Sequence, residues 1–501
     1  MLFNSYIFIL FFLPVTLIGY FTLNKYAYGR NGLSGIIWLF LMSLWFYGYQ
    51  KPEYLLLIMV SIGVNYGIGI LIGRLKRGQQ SQNKQKLILT AGIGFNLGLL
   101  FYFKYADFFL DSIEDFFGAE WNMEVALPLG ISFFTFQQIS YIVDCYREKE
   151  GLDYHFFEYA AYVTFFPQLV AGPIVMHSEL VPQLKQKENK TINFDNMSRG
   201  LYAFALGLGK KVLIADTLSK LVAVGFSDIY SLNSGSVIIM MLAYTLQIYF
   251  DFSGYCDIAL GIGYMFNVEL PINFNSPYKA KSIIEFWSRW HMTLTRFFTH
   301  YVYIPMGGSR KGRIRTYINT LIVFLLSGLW HGANWTFVLW GGLHGLFMTL
   351  EKIGKDIGIR LPSGRLGKLL GLCYGALTFL FVNIVWILFR ANSIKDWRLI
   401  IERLLSGGWE ISDQLSEVIK KLVEIRVLEN LGLRGLFEQY PLLPLLALLL
   451  ILLLAVFFLK NTQEKMAEEK YGLRRSLLSI FLIVWCVISL SDVSEFLYFN
   501  F

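Results

Sequence analysis

Long apolar runs alternate with short polar segments along most of this chain. A run of about 20 apolar residues is long enough to cross the hydrocarbon core of a bilayer as a helix. Runs close to that length occupy residues 5–23, 33–49, 54–73, 87–104, 199–216, 236–266, 316–332, 335–350, 369–389, 441–459 and 476–491. The pattern predicts an all-α polytopic membrane protein with roughly 11 transmembrane helices.

Two further apolar stretches, at 125–145 and 156–176, are shorter or are broken by residues that end helices. Backbone that leaves a helix at membrane depth needs protein or cavity water to satisfy its polar groups. We therefore expect re-entrant or interrupted helices in both stretches. The residues that interrupt them are Pro128, Gly130, Pro167, Gly172 and Pro173.

The composition agrees with an integral membrane protein. Of the 501 residues, 55% are hydrophobic and 16% are charged, whereas a soluble domain carries more charge and spreads it more evenly.

The first apolar run lacks a basic leading region and a small-residue cleavage site, so we expect it to remain as the first transmembrane helix. The four cysteines show no C-x-x-C spacing and are predicted to be packing residues.

The distribution of charge predicts an orientation. The net charge of +8 comes from Lys and Arg at the ends of apolar runs, which the positive-inside rule explains without a nucleic-acid partner. This rule places both chain termini outside. It also requires residues 316–350 to enter the membrane and return as a tight pair, with His331 near the turn. The basic blocks assigned to the cytoplasm lie at 74–86, 310–315, 352–368 and 460–475, and the acidic loop assigned to the outside at 107–124.

No internal repeat or long flexible linker divides the chain, so one polytopic domain over residues 1–501 is the simplest organisation. The segment 390–440 is polar and mixed in charge, with apolar residues such as Leu404 and Val418 at near-helical spacing. We expect it to form an outer amphipathic element.

His331 is the most informative single residue. It lies in an apolar, aromatic run at 321–345, beside Trp330 and close to Asn334, and this run contains no acidic or basic side chain. An imidazole at bilayer depth is costly and normally faces a polar cavity or the bundle interior. Because histidine also exchanges protons near neutral pH, we predict that His331 is catalytic.

Other polar residues in apolar context precede His331. Arg289 and His291 lie in one segment, and Asp251, Ser253 and Asp257 lie in another. Two histidines with carboxylates and an arginine could deprotonate a hydroxyl and stabilise a developing oxyanion, as acyl transfer requires. Alternatively, one of the carboxylates forms a structural pair with Arg289, and His291 is a hydrogen-bonded core residue.

Motifs of other functional classes are weak or missing. His331 and His344 are too far apart to be two metal ligands on one helix face, so no metal is predicted. Neither a G-x-S-x-G elbow nor a G-x-x-x-x-G-K-[ST] phosphate loop occurs. The basic turn GGSRKGR at 307–313 could hold the phosphates of a thioester cofactor, although any cytoplasmic loop would carry similar residues.

Ordered motifs resemble those of the membrane-bound O-acyltransferase superfamily, and within it the bacterial alginate O-acetyltransferase subgroup. They are FFPQLVAGP at 165–173, YFDFSGYCD at 249–257, EFWSRWHMTL at 285–294, YIPMGG at 303–308 and GLWHGANW at 328–335. The motif core spans about residues 125–350, and the match is least clear beyond residue 390. One departure is Thr299-His300, where relatives often carry Arg-Asp, so no role is carried over to that pair.

The resemblance implies a ring of helices around a thin central tunnel, where a cytoplasmic acyl donor and an external acceptor meet. It implies that His331 is the catalytic histidine and that His291 is a second catalytic position. The predicted substrate-binding residues are Asp251, Ser253, Asp257, Arg289, Trp330, Asn334 and Gln168. The implied location is the bacterial cytoplasmic membrane.

The function this suggests is an O-acetyltransferase that takes acetyl from acetyl-CoA, or a similar thioester, for hydroxyls of an extracytoplasmic polysaccharide such as an alginate-like exopolysaccharide. The resemblance also implies an extracytoplasmic acetyltransferase partner protein. One alternative is transfer of D-alanine from a carrier protein to teichoic acid. An alternative of another class is a transporter or flippase, in which broken helices and intramembrane carboxylates line a substrate path.

Overall fold

The fold is that of a computed structural model, which describes residues 1–26, 32–117, 125–149, 152–359, 362–420, 423–468, 472–490 and 497. These residues form helices joined by short connections and include no β-strand, so the predicted all-α class is confirmed. Parts of the predicted acidic loop at 107–124, of the basic blocks at 352–368 and 460–475 and of the segment 390–440 lie outside the described residues.

The α-helices are α1 Leu13–Tyr26, α2 Ser34–Gly48, α3 Tyr54–Arg77, α4 Gln82–Leu100, α5 Ala106–Phe117, α6 Ile131–Arg147, α7 Phe156–Thr164, α8 Phe166–Leu169, α9 His177–Lys185, α10 Phe194–Gly209, α11 Asp216–Ser227, α12 Ser234–Met265, α13 Ile283–Arg289, α14 Met292–Phe298, α15 Arg313–His331, α16 Trp335–Asp356, α17 Gly364–Arg390, α18 Ile394–Leu405, α19 Asp413–Lys420, α20 Val423–Leu428, α21 Arg434–Gln439, α22 Leu443–Phe458, α23 Thr462–Met466 and α24 Leu473–Ser489. Wider π-helical turns occur at Phe8–Phe12, Phe101–Tyr105, Lys210–Ala215, Thr299–Tyr303 and Glu429–Leu433.

Each predicted apolar run coincides, to within a few residues at its ends, with one or more of these helices and π-helical turns, and residue 491 lies outside the described residues. Among the described residues, five helices are long and apolar enough to cross a membrane, at Phe8–Tyr26, Tyr54–Arg77, Gln82–Ile113, Ser234–Met265 and Gly364–Arg390. A pair of helices bent by 105°, Ile425–Gln439 and Leu443–Phe458, raises this number to six if the pair forms one span. The multi-pass character is supported, and the larger number of roughly 11 spans stays a prediction.

The chain divides into two compact units, each assembled from separate stretches. The first comprises Met1–Leu208, Tyr255–Ile272 and Glu468–Asn500. The second comprises Gly209–Gly254 and Asn273–Ala467. The end of α12 therefore belongs to the first unit, and its longer leading part belongs to the second.

The first unit contains both of the predicted interrupted stretches. In the stretch 156–176, α7 ends at Thr164 and the single-turn helix α8 follows Phe165, whose backbone is not helical, so this interruption is confirmed. In the stretch 125–145 the break is confined to the first residues, because α6 runs unbroken from Ile131. Gly130 precedes α6 with a φ of 70°, a left-handed conformation that favours glycine.

The second unit contains an amphipathic helix, α18, within the segment 390–440. Its Ile400 is fully buried in an apolar cluster with the start of α12 and the end of α17. Leu404 packs against the same cluster. The amphipathic character is thus confirmed for this part of the segment. The buried members of the cluster are Leu232, Val237, Met240, Met241, Ile387 and Ile400.

Helices α15 and α16 form a tight hairpin with His331 as the last residue of α15, as the sequence predicts. The two backbones touch at Gly328 and Gly341: a Cβ atom at Gly341 would lie 3.1 Å from the Cα of Gly328 and would collide with the carbonyl oxygen of Phe324. Small residues allow helices in apolar surroundings to approach this closely. The glycines therefore set the spacing of the hairpin that carries His331.

We expect Gly341→Ala to force the hairpin apart, because the new methyl group would meet backbone atoms that cannot rotate away. Overpacking of this kind costs about 1–3 kcal/mol, so the midpoint of thermal unfolding in detergent should fall. The matched control is Gly342→Ala, where the nearest atom is a leucine methyl at an ordinary 3.5 Å. Equal midpoints for the two variants would contradict the assigned role of the glycine contact.

Candidate active site

His331 is enclosed by aromatic rings from three helices of the second unit. Its side chain is buried, with 2% of its surface exposed. Its ring centroid lies 4.9 Å from that of Trp330, 5.2 Å from that of Trp340 on α16 and 5.1 Å from that of Phe389 on α17. These rings place the imidazole in an environment that excludes bulk water.

His291 is the second imidazole of the site. It lies between α13 and α14, is fully buried, and its ring centroid is 6.1 Å from that of His331. Its backbone adopts a left-handed conformation with φ 46° and ψ 49°. Such a backbone conformation is uncommon in residues other than glycine and clusters at functional sites. The sequence-predicted pair of histidines is thus brought together.

Two aromatic residues complete the wall around the paired histidines. The ring of Phe252 on α12 lies 4.8 Å from that of His291, and the ring of Trp330 lies 6.0 Å from it. Trp330 therefore touches both histidines. Aromatic contacts on several sides fix the orientation of an imidazole without adding charge.

Asp251 belongs to a buried ion-pair network. Nζ of Lys211 lies 2.8 Å from Asp251 and 2.9 Å from Asp216. Lys211 is 4% exposed and Asp251 is 1% exposed. A buried carboxylate requires such a partner because the cost of removing it from water is high. The structure thus pairs Asp251 with Lys211 and not with Arg289, the cation that the sequence suggested.

Arg289 is engaged outside the pair of histidines. Its guanidinium lies 2.9 Å from Glu285, one turn earlier on α13, and donates a hydrogen bond of 3.1 Å to the carbonyl of Asn275. The side chain is 30% exposed. In this arrangement Arg289 stabilises the segment that leads to His291.

The remaining predicted residues of the second unit have distinct surroundings. Asn334 begins α16: its side chain accepts a hydrogen bond from the amide of Thr336 and donates one to the carbonyl of Asn392. Ser253 is buried on α12, and its hydroxyl has no hydrogen-bond partner within the described parts of the chain. Asn334 is thus a helix cap, and a role for Ser253 in substrate binding stays a prediction.

Asp257 and Gln168 belong to the first unit, and both are buried. The amide nitrogen of Gln168 donates a 2.7 Å hydrogen bond to the carbonyl of Tyr162. Its amide oxygen has no hydrogen-bond partner among the residues that the structure describes. Gln168 therefore donates a hydrogen bond to a carbonyl near the end of α7, where the interruption removes the helical donor.

A cavity of about 190 Å³ runs along the face of α15 that ends in His331. Its lining includes Phe324 and Ser327, and Ser327 lies one helical turn before His331. The opposite wall comes from the segment that follows His291. The other lining residues are Trp287, Leu294, Thr295, Phe298, Thr299, Tyr303, Thr320, Val323, Met348 and Lys352.

The cavity is largely apolar. Among the described residues that line it, Lys352 is the one with a cationic side chain. Nζ of Lys352 donates a 2.7 Å hydrogen bond to the hydroxyl of Thr320 and lies 5.6 Å from the centre of the Tyr303 ring. The basic turn 307–313 begins four residues after Tyr303, and Asn319 of α15 anchors it through the carbonyl of Gly308. The basic turn is thus attached to α15, one of the helices that line the cavity.

The departure at Thr299-His300 falls in the π-helical turn Thr299–Tyr303. Thr299 lines the cavity and His300 is exposed. Turns of π-helix occur frequently at functional sites, because the extra residue redirects side chains. Only the first residue of this pair therefore faces the cavity.

Sequence reasoning missed Lys211 and Asn273. A lysine inside the apolar run 199–216 is itself a signal, since an intramembrane charge needs a partner. Asn273 binds both His291 and Thr293. It lies in an irregular connection between helices, where asparagine is common, so no local pattern singles it out.

The site and fold define a multi-helix membrane protein in which two buried imidazoles lie close together, each about one helical turn in sequence from residues that line a cavity, an arrangement suited to proton transfer away from water. The sequence profile of the membrane-bound O-acyltransferase family matches residues 79–356. The chain therefore belongs to this family and is an acyltransferase. This confirms the prediction of an acyltransferase over the transporter alternative.

Three relatives illustrate the similarity. The chain is 38% identical to the peptidoglycan O-acetyltransferase of Helicobacter pylori, over 100% of this chain and 98% of that protein. It is 38% identical to the probable alginate O-acetylase AlgI of Pseudomonas aeruginosa, over 82% of this chain and 76% of that protein. It is 30% identical to the teichoic acid D-alanyltransferase of Bacillus subtilis, over 51% of this chain and 66% of that protein.

We expect Lys211→Met to destabilise the protein by about 3–5 kcal/mol, because the buried Asp251 and the partly buried Asp216 would be left as neighbouring carboxylates without the lysine that pairs them. The measurement is thermal unfolding in detergent, followed by circular dichroism. Arg398→Met is the control, since its ion pair with Glu402 is exposed and worth about 0.3–0.5 kcal/mol. A Lys211→Met midpoint equal to that of the control would contradict the structural importance of the network.

Proposed function

We propose that the protein transfers an acetyl group from a cytoplasmic thioester, acetyl-CoA or a similar donor, to hydroxyls of an extracytoplasmic polysaccharide. Two relatives that match most of the chain support this, because they are named for O-acetylation of peptidoglycan and of alginate. The acceptor is an alginate-like exopolysaccharide or another cell-surface glycan. Delivery to the glycan involves an extracytoplasmic acetyltransferase partner protein, and the enzyme resides in the bacterial cytoplasmic membrane.

The observation that carries the proposal is the buried pair of His291 and His331, with ring centroids 6.1 Å apart. In the proposed reaction the acceptor hydroxyl lies beside His331, which takes its proton while the oxygen attacks the thioester carbonyl. The tetrahedral intermediate then collapses, the C–S bond breaks, and the proton passes to the leaving thiolate. The products are the acetyl ester and the free thiol.

The aromatic enclosure suits this chemistry. Water competes with the acceptor hydroxyl for a thioester, so a transferase gains from excluding it. Trp330, Trp340 and Phe389 surround His331 and supply such a barrier. Conversion of a thioester to an ester is close to balanced in free energy. The protein therefore contributes mainly by positioning the donor and the acceptor hydroxyl.

We assign the cavity beside α15 to the acyl donor. Its apolar wall accommodates an acetyl group and the chain that carries it, and Ser327 marks the end nearest His331. Lys352 lines the cavity, and the basic turn 307–313 is hydrogen-bonded to α15 through Asn319; we assign both to the phosphates of coenzyme A. The positive-inside rule places this basic turn on the cytoplasmic side. Both termini then lie outside.

Among the predicted substrate-binding residues, Ser253 and Trp330 are the ones we assign to contacts with substrate. Ser253 has a buried hydroxyl with no hydrogen-bond partner in the described part of the chain, and Trp330 touches both histidines. Arg289 is engaged by Glu285, so we assign stabilisation of the oxyanion to backbone amides.

Transfer of D-alanine is the second candidate, favoured by the similarity to the teichoic acid D-alanyltransferase. The two proposals are separated by supplying membrane vesicles with labelled acetyl-CoA or with labelled D-alanyl carrier protein. Acetyl label in an exported glycan supports the first proposal. Label from the D-alanyl carrier alone supports the second.

We expect His331→Ala to lower the rate of acetyl transfer by about 10²–10⁴, the range that general acid–base catalysis supplies. The measurement is acetyl incorporation into glycan by vesicles with equal amounts of folded protein. His300→Ala is the matched control, because this histidine is exposed and should leave the rate within about twofold. Unchanged transfer by His331→Ala would overturn its catalytic assignment.

We expect Ser327→Phe to raise the KM for the donor by at least tenfold, about 1.4 kcal/mol, because the ring would fill much of the cavity. The adjacent Leu326→Phe is the control, since Leu326 is 41% exposed and lies outside the cavity. Donor saturation curves on vesicles provide the measurement. Equal KM values for the two variants would show that the donor binds elsewhere.

A further inference from the structure

Asn273 is bound to the His291 segment through both its backbone and its side chain. Its carbonyl accepts a 3.0 Å hydrogen bond from the amide of Met292. Its side-chain oxygen Oδ1 accepts hydrogen bonds from the amide of Thr293 at 3.3 Å and from the Thr293 hydroxyl at 2.9 Å. The same oxygen lies 3.1 Å from Nδ1 of His291. Asn273 is 1% exposed.

This geometry determines which nitrogen of His291 carries the proton. A backbone amide can only donate, so the Asn273 atom that faces the Thr293 amide must be the oxygen of the side-chain amide. An amide oxygen only accepts, so Nδ1 of His291 must donate to it. In a neutral imidazole one nitrogen donates and the other accepts, which leaves Nε2 with the lone pair.

We propose that Asn273 is a positioning residue that fixes His291 in the tautomer with a bare Nε2. His291 then accepts a hydrogen bond or a proton from the acceptor hydroxyl, in support of His331, and does not donate to the oxyanion. This inference rests on the proposed acetyl transfer. The two histidines then have different surroundings. Asn273 supports His291 through a hydrogen bond, and aromatic rings surround His331.

The backbone of His291 reinforces the need for this support. A φ of 46° is a strained conformation for a residue with a side chain, and it persists only where neighbouring contacts impose it. The hydrogen bonds from Met292 and Thr293 to Asn273 impose it from the residues directly after His291. Asn273 thus controls both the direction of the ring and its protonated nitrogen.

The test compares Asn273→Leu, Asn273→Asp and Thr293→Val in the full-length protein in vesicles. Asn273→Leu has nearly the same shape but no acceptor, so we expect kcat to fall about 10²–10⁴-fold, with the donor KM changed less than about twofold. Asn273→Asp keeps an oxygen opposite Nδ1 and should restore kcat to within about tenfold of wild type. Thr293→Val keeps the contact between Asn273 and His291 and should behave likewise.

A spectroscopic readout is independent of turnover. In protein labelled with ¹⁵N at histidine, with His291→Gln used for assignment, we expect a protonated Nδ1 and a bare Nε2 for His291. A protonated Nε2 in wild type, or full kcat in Asn273→Leu, would overturn the inference. If Asn273→Leu does not fold, the spectra of wild type and Asn273→Asp decide. Absence of acetyl transfer by wild type would refute the proposed function, while the spectra would still decide the tautomer.

Discussion

The contact between the backbones of α15 and α16 at Gly328 and Gly341 is the constraint on which the site depends. Trp340, the residue before Gly341, lies 5.2 Å from His331 because the two helices approach this closely. The cavity occupies the α15 face that leads to the same histidine. A wider hairpin would therefore change the enclosure of the imidazole and the shape of the cavity together.

Features encoded locally were predictable from the sequence. Long apolar runs predicted the helices, proline at 167 and glycine at 172 predicted the broken segment, and an imidazole without a charged neighbour in the sequence selected His331, which the structure buries beside His291. The choice of partners was not predictable in the same way. Asp251 was a candidate partner for Arg289, and the structure shows that Lys211 holds it instead. Pairing between segments far apart in sequence depends on packing, which no local pattern records.

Two kinds of polar support are present in the second unit. The network of Lys211, Asp216 and Asp251 is ionic. Removing one of its charges would leave an uncompensated charge in the protein interior and would destabilise the fold. The support of His291 by Asn273 is neutral and directional. A neutral amide orients the adjacent imidazole through a hydrogen bond and adds no charge beside it.

The left-handed backbone at His291 also limits which residues can stand at this position. Asparagine, aspartate and histidine adopt positive φ several times more readily than other side chains, and β-branched residues rarely do. Valine or isoleucine at this position would raise the conformational free energy of the backbone, apart from any effect on catalysis. Asparagine could adopt the same φ and ψ. The range of side chains open to this part of the protein in divergence or engineering is therefore narrowed by geometry as well as by reactivity.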